Sequence, residues 1–114
     1  MDEYINEQKL SSILKAASDP TRRSLLTTLV QQGPSRVTEL ARHYDMSLNS
    51  ISKHIKVLEA ATLVTRKTIG RVHLIEAQLE PINQIDNWFK NLRSIWDLRL
   101  DDLETILNKE ICDD

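Results

Sequence analysis

Glycine, proline, cysteine and aromatic side chains are all scarce in this chain, and each scarcity excludes something. Two glycines, three prolines and five aromatic side chains among 114 residues exclude a loop-rich or low-complexity protein and together fit a mostly helical one. A lone cysteine, Cys112, excludes an intrachain disulfide framework and suits a reducing compartment. Its neighbours Asp113 and Asp114 disfavour the thiolate, which argues against a redox switch. No apolar run approaches the roughly 18 residues of a membrane span, and the acidic start Met1-Asp2-Glu3 is unlike a signal peptide. A cytoplasmic protein with no membrane partner is therefore expected. Glycine-rich phosphate cradles, nucleophile elbows and H-E-x-x-H are all absent, so nothing points to an enzyme. The length suits one domain, residues 1–114, with a single core.

What the chain does have is an uneven charge distribution. The net charge is −2, which read globally argues against nucleic acid. Between Arg36 and Glu76, however, seven cations face four anions, giving +3, and the remainder carries −5. A basic middle in an acidic frame can face phosphates while the ends point away.

At the centre of that basic middle lies Ser47-Leu48-Asn49-Ser50-Ile51-Ser52-Lys53-His54-Ile55-Lys56-Val57-Leu58. Leu48, Ile51, Ile55 and Leu58 recur at helical spacing, and Ser47 precedes them as an N-cap. The opposite face carries Asn49, Ser50, Ser52, Lys53 and Lys56, with no carboxylate before Glu59. Asn and Lys can reach base edges, while Ser and Lys can reach phosphate oxygens.

The flanks supply the setting. A first helix is expected from about Glu3 to Ala17, ended by Ser18-Asp19-Pro20. Asp19 then caps a second helix with Pro20 at its first position, burying Leu25, Leu26, Leu29 and Val30 and stopping at Gly33-Pro34. Ser35 is placed to cap a short third helix, Val37 to Tyr44, and Asp45-Met46 leads into the polar-faced helix. Two such helices around a tight turn make a helix-turn-helix. After Ala61-Thr62 the pattern turns β-branched and alternating. Residues 63–68 and 71–75, separated by Ile69-Gly70, read as a β-hairpin. Arg66, Lys67 and Arg71 flank its tip, where they either approach a nucleic-acid backbone or blunt an exposed sheet edge.

From Pro81 to about Glu110 one long helical pattern runs on. Ile82, Ile85, Phe89, Leu92, Trp96, Leu103 and Ile106 keep near-heptad spacing, Arg99 interrupts it, and Trp88, Ile95, Leu100 and Leu107 widen the stripe. A domain this small cannot cover such a stripe. A homodimer is expected through Ile85, Phe89, Leu92, Trp96 and Leu103, with Tyr4 and Ile5 nearby; the alternative is that the first helix alone covers the surplus.

Ala16-Ala17-Ser18-Asp19-Pro20-Thr21-Arg22, Val37-Thr38-Glu39-Leu40-Ala41, Ile51-Ser52-Lys53-His54-Ile55-Lys56-Val57-Leu58 and the hairpin from Leu63-Val64 to Gly70-Arg71 together resemble the ArsR family of winged-helix repressors. The resemblance implies a mainly α fold with a small β-hairpin: an N-terminal helix (1–17), a winged helix-turn-helix (18–76) and a dimerisation helix (81–110). It also implies a cytoplasmic, dimeric transcriptional regulator, usually a repressor, that binds double-stranded DNA at an inverted repeat. Carried onto this chain, base readers are Leu48, Asn49, Ser52 and Lys53, with Ser50 and Lys56 beside them. Thr38 and Ser47 sit at helix starts suited to phosphate, and Lys67 and Arg71 belong to the wing. Two positions depart from the family pattern. Thr62 stands where a glycine is common, so the recognition helix is expected to end differently or run on, and Leu48 replaces a commonly polar residue.

Metal sensing, the family's best-known activity, finds no ligands. A thiolate site would need cysteines where Arg36 and Thr38 stand, and the acidic last helix has no histidine after His73. His54 is expected beneath the recognition helix, His43 on the surface and His73 on a strand. No cofactor is expected, and release from DNA falls to another cause, such as a protein antagonist. A different class of function also stays open: a winged-helix module whose basic face binds an acidic protein partner instead of specific DNA.

Overall fold

In the computed structural model, which describes residues 7–112, side-chain caps start two of the helices and left-handed residues stop two. Helix α1 spans Glu7–Ala17 and α2 spans Pro20–Gln32. Strand β1 is Ser35–Arg36, followed by α3, Val37–His43, and α4, Leu48–Ala60. Strands β2, Val64–Ile69, and β3, Val72–Ala77, precede α5, Ile82–Cys112. The expected residues Glu3, Tyr4 and Ile5 lie outside the described residues.

Asp19 accepts from the Arg22 backbone N–H at 3.0 Å, and Pro20 opens α2, where its missing donor costs nothing. Ser47 caps α4 in the same way, accepting from the Ser50 N–H at 3.1 Å. Helix α3 has no side-chain cap, because Ser35 is used elsewhere. It is buried in β1, opposite Ile75 of β3, and its hydroxyl donates to the Gly33 carbonyl at 3.0 Å. The sheet therefore has three antiparallel strands in the order β1-β3-β2, one more than the expected hairpin. The hairpin itself slips by one residue. Ile69 pairs with Val72, so the two-residue loop is Gly70-Arg71, with Gly70 at φ 62°, where a side chain is disfavoured.

Helices α3 and α4 end alike. Past α3, Asp45 takes φ 52°, and the Met46 N–H returns to the Ala41 carbonyl at 2.9 Å. Past α4, Thr62 takes φ 58°, and the Leu63 N–H returns to the Leu58 carbonyl at 2.9 Å. Each is a Schellman stop, a motif usually built on glycine. Helix α4 thus does not run on past Thr62; a β-branched residue adopts the glycine conformation instead. That conformation costs a non-glycine residue about 1–2 kcal/mol. Thr62→Gly should therefore stabilise the fold by roughly 0.5–1 kcal/mol after the added chain entropy is subtracted, read as a raised urea midpoint at unchanged slope.

All four N-terminal helices feed one core: Ile13 and Ala16, Leu25 and Leu29, Val37 and Leu40, then Ile51, Ile55 and Leu58, closed by Leu63, Val64 and Ile75. Two positions on α2 correct the expected pattern. Val30 is 52% exposed, and Thr28 is buried in its place, its hydroxyl 2.7 Å from the Tyr44 hydroxyl. A satisfied hydroxyl can occupy a core edge, and the Ser24 hydroxyl completes the cluster at 2.9 Å. Only the start of α5 joins the core, through half-buried Ile82 and Ile85. The rest projects, and the molecule measures 77 × 32 × 20 Å. Among the described residues no helix is long and apolar enough to cross a membrane.

Candidate nucleic-acid interface

Because Ile51, Ile55 and Leu58 are fully buried, α4 is fixed in rotation, and its opposite face is set outward. Asn49, Lys53 and Lys56 are exposed on it, Ser50 and Ser52 are half-buried, and Leu48 is 52% exposed at the helix start. The Ser47 hydroxyl both caps the helix and donates to the Ser50 hydroxyl at 3.0 Å. The first turn of α4 holds no acid, so the partial positive charge of the helix N-terminus is unopposed there. Thr38 is exposed in the first turn of α3.

The wing divides its cations between two tasks. Arg66 turns back to α4, donating to Glu59 from its Nη2 at 3.0 Å and its Nε at 3.4 Å. Such a partly exposed pair adds about 0–1 kcal/mol, so its effect is geometric: it fixes where the hairpin stands beside the helix. Lys67 on β2 and Arg71 in the turn are exposed and, like Lys53 and Lys56, form no ion pair among the described residues. These four cations are available to an external anion.

Beneath α4 lies a contact that sequence reasoning missed. Arg22 donates from Nε to the Ala16 carbonyl at 2.8 Å and from Nη2 to the Lys15 carbonyl at 3.1 Å, closing the end of α1. Its Nη1 stands 3.4 Å from His54 Nδ1, and Asp19 Oδ2 is 3.8 Å from the same nitrogen. One arginine thus ties α1 and α2 to the underside of the polar-faced helix. Two signals in the sequence pointed there: Arg22 closes the Asp19-Pro20-Thr21-Arg22 motif, and an N-cap Asp19 places it three residues on in the first turn of α2. His54 is half-buried there, as expected, with His43 exposed and His73 on the exposed side of β3.

The Arg22 N–H holds the Asp19 carboxyl below its ordinary value, with the charges of Arg22 and His54 acting in the same direction. A carboxyl depressed in the folded state contributes stability above its unfolded pKa and loses it as pH falls through the folded one. Asp19→Asn keeps an acceptor for the cap but removes the charge. Its thermal stability should fall below wild type near neutral pH, and the two curves should converge as pH drops below the ordinary carboxylate value of 3.8.

On α5, residues 86–110 are exposed throughout, including Phe89 at 54%, Leu92, Trp96 at 63% and Leu103. Ile85 instead leans on the protein's own core. Among the described residues, then, α1 does not cover the surplus apolar stripe. The positions where a thiolate metal site would need cysteines are Arg36 and Thr38, and no three His, Cys, Asp or Glu side chains gather among the described residues. These residues do not fit a metal of the family's usual kind.

The comparisons with known proteins agree with this geometry. A family profile described as a helix-turn-helix domain matches residues 17–67, from the end of α1 into β2. The transcriptional repressor SdpR of Bacillus subtilis is 29% identical over 82 residues, covering 72% of this chain and 90% of its own. The arsenical resistance operon repressor of Staphylococcus xylosus is 33% identical over 79 residues, 69% of this chain and 75% of its own. A crystal structure of an ArsR family transcriptional regulator superposes with a TM-score of 0.75 at 35% identity, covering 81% of this chain and 94% of that one. The chain belongs to the ArsR family. It is a DNA-binding transcriptional regulator with a winged helix-turn-helix fold. In this ArsR-family regulator α3 and α4 are the helix-turn-helix, β2 and β3 the wing, and α5 the long C-terminal helix.

Proposed function

We propose that this regulator is a cytoplasmic homodimeric repressor that reads an inverted-repeat operator with the N-terminal half of α4. The observation carrying this reading is the outward face of α4: Asn49 and Lys53 are exposed, Lys53 has no ion-pair partner among the described residues, and both stand next to an acid-free helix start on a helix whose rotation the core fixes. In this reading Asn49, Ser52 and Lys53 meet base edges, and exposed Leu48 meets a thymine methyl. Ser50 and Lys56 lie beside them. Thr38 and Ser47 reach phosphates from helix starts, and Lys67 and Arg71 reach the backbone or minor groove from the wing. A two-fold dimer joined through α5 presents two copies of α4 to one face of the duplex, about 34 Å or a multiple apart.

Selection from a random duplex pool, followed by sequencing, tests this. Enrichment of an imperfect inverted repeat with that half-site spacing is expected; an unenriched pool would give the lead to protein interaction. Zinc, cadmium or arsenite at stoichiometric levels should change the affinity for the selected duplex by less than tenfold, under about 1.4 kcal/mol. A tetrahedral metal signature accompanied by release from DNA would refute that. The releasing event is then a partner protein or a change in dimer concentration, not a metal bound at Arg36 and Thr38.

A further inference from the structure

Three histidines occur in this chain, and His43 and His73 are exposed. His54 is the exception. It is half-buried on the inner side of α4, and the outward reading face leaves it without a role. Its Nδ1 lies between opposite charges, 3.4 Å from Arg22 Nη1 and 3.8 Å from Asp19 Oδ2. We infer that His54 is a positioning residue: neutral, it accepts from Arg22 and seats α4 for base reading; protonated, it gives up Arg22, and the operator preference weakens. The inference rests on the reading of α4 proposed above and adds a pH dependence to it.

One ring nitrogen cannot serve both neighbours. With a lone pair, Nδ1 accepts from the guanidinium, which can only donate. With a proton, Nδ1 can only donate, and the Asp19 carboxylate is the acceptor beside it. At 3.8 Å that hydrogen bond is not formed. A charge-assisted pair closes to about 2.7–2.9 Å, so protonation draws the ring about 1 Å toward Asp19, while the Arg22 charge repels it.

Neither neighbour is free to move instead. Arg22 is committed through Nε and Nη2 to the Ala16 and Lys15 carbonyls, and the Asp19 carboxylate caps α2. The ring has little room to turn alone, since His54 stands three residues after Ile51 and four before Leu58, both fully buried. Helix α4 therefore takes up the movement. Lys53 adjoins His54 and Asn49 lies on the same helix, and a binding constellation needs placing to about 0.5 Å.

Among the described residues no other charge answers this proton. On α1, Glu7, Lys9 and Lys15 are exposed, and on α2 Arg23 donates to the Ala17 carbonyl. On α3, Glu39 pairs with Arg36, while Arg42 and His43 are exposed. On β2, Arg66 is held by Glu59, and on α4 itself Lys53 and Lys56 are exposed.

Titration of the selected duplex and a scrambled one, from about pH 8 to about pH 5.5 at fixed ionic strength, tests this with the full-length chain. Wild-type affinity for the selected duplex should fall about three- to tenfold on acidification, the effect of one hydrogen bond. Affinity for the scrambled duplex should hold or rise as the protein gains positive charge. His54→Asn places a non-titrating oxygen where Nδ1 stands. It should match wild type at the alkaline end and keep its preference flat with pH. Arg22→Met should show the weaker, acid-like preference throughout; if it fails to fold, His54→Asn decides alone. Circular dichroism at each pH should show the fold intact. A flat wild-type profile would overturn the proposal, and a fall that persists in His54→Asn would overturn it in favour of His43 or His73. Helical signal lost in step with affinity would also overturn it, because His54 would then hold the fold and not aim the helix. Equal affinity for both duplexes at the alkaline end would remove the operator reading itself, which separates that failure from an error about His54.

Discussion

Phe89→Glu should convert the protein from a dimer into a folded monomer that has lost its operator. Phe89 is 54% exposed and takes no part in the core, so the helical signal and the cooperative unfolding of the winged-helix body should survive. In the proposed dimer the same position would lie in an apolar seam, where an unpaired carboxylate costs about 3–5 kcal/mol. That alone raises the dimer dissociation constant by at least about 100-fold. Operator binding should fall further, because a lone half-site forfeits the roughly 10²- to 10⁴-fold gain of linked binding. Light scattering, circular dichroism and a binding titration on the selected duplex, run on one preparation, check all three statements. A variant that stays dimeric would move the interface off the Phe89 face of α5.

Replacing Asn49 or Lys53 by Ala should cost about 1–3 kcal/mol on the cognate duplex and relax preference at particular base pairs. Both side chains are exposed on the N-terminal half of α4, the half proposed to enter a groove, and neither is needed to bury Ile51 or Ile55 behind them. Lys67→Ala and Arg71→Ala should behave differently. The wing carries them without ion-pair partners among the described residues, so their loss should weaken cognate and scrambled duplexes about equally. Removing a cation that neutralises one phosphate should flatten the salt dependence by about one unit of slope. Arg66→Ala is the informative control: this cation is spent on Glu59, so its effect should come through the position of the wing. If the α4 variants weaken both duplexes alike, the helix is an electrostatic surface only, and an acidic protein becomes the better partner.

Much of this was legible in the chain itself, and the reason is local. The caps Asp19 and Ser47, Pro20 at the start of α2, and the three- and four-residue spacing of Ile51, Ile55 and Leu58 act within a few residues, so the sequence alone specified α2, α4 and the direction of the polar face. The apolar stripe after Pro81, interrupted at Arg99, specified a long helix with more apolar surface than one small domain can cover. The family motifs specified a DNA-binding regulator of the ArsR family.

Other features depend on contacts between residues far apart in sequence, and only the tertiary structure decided them. Ser35 reads as a helix cap until β3 pairs with it, because a strand's partner lies 40 residues away. Thr28 and Val30 exchange places on α2 because the Tyr44 hydroxyl satisfies the buried threonine. Arg66 reads as a wing-tip cation until Glu59 of α4 claims it, and the contacts of Arg22 with the end of α1 and with His54 join residues up to 32 positions apart. Thr62 shows the limit of propensity most directly. A residue ill suited to the left-handed region adopts it because the returning Leu63 N–H and the buried side chains of Leu58, Leu63 and Val64 all require the chain to turn there. Packing in the core outweighs the roughly 1–2 kcal/mol of local strain, and so the tertiary structure, not the local sequence, ends the recognition helix.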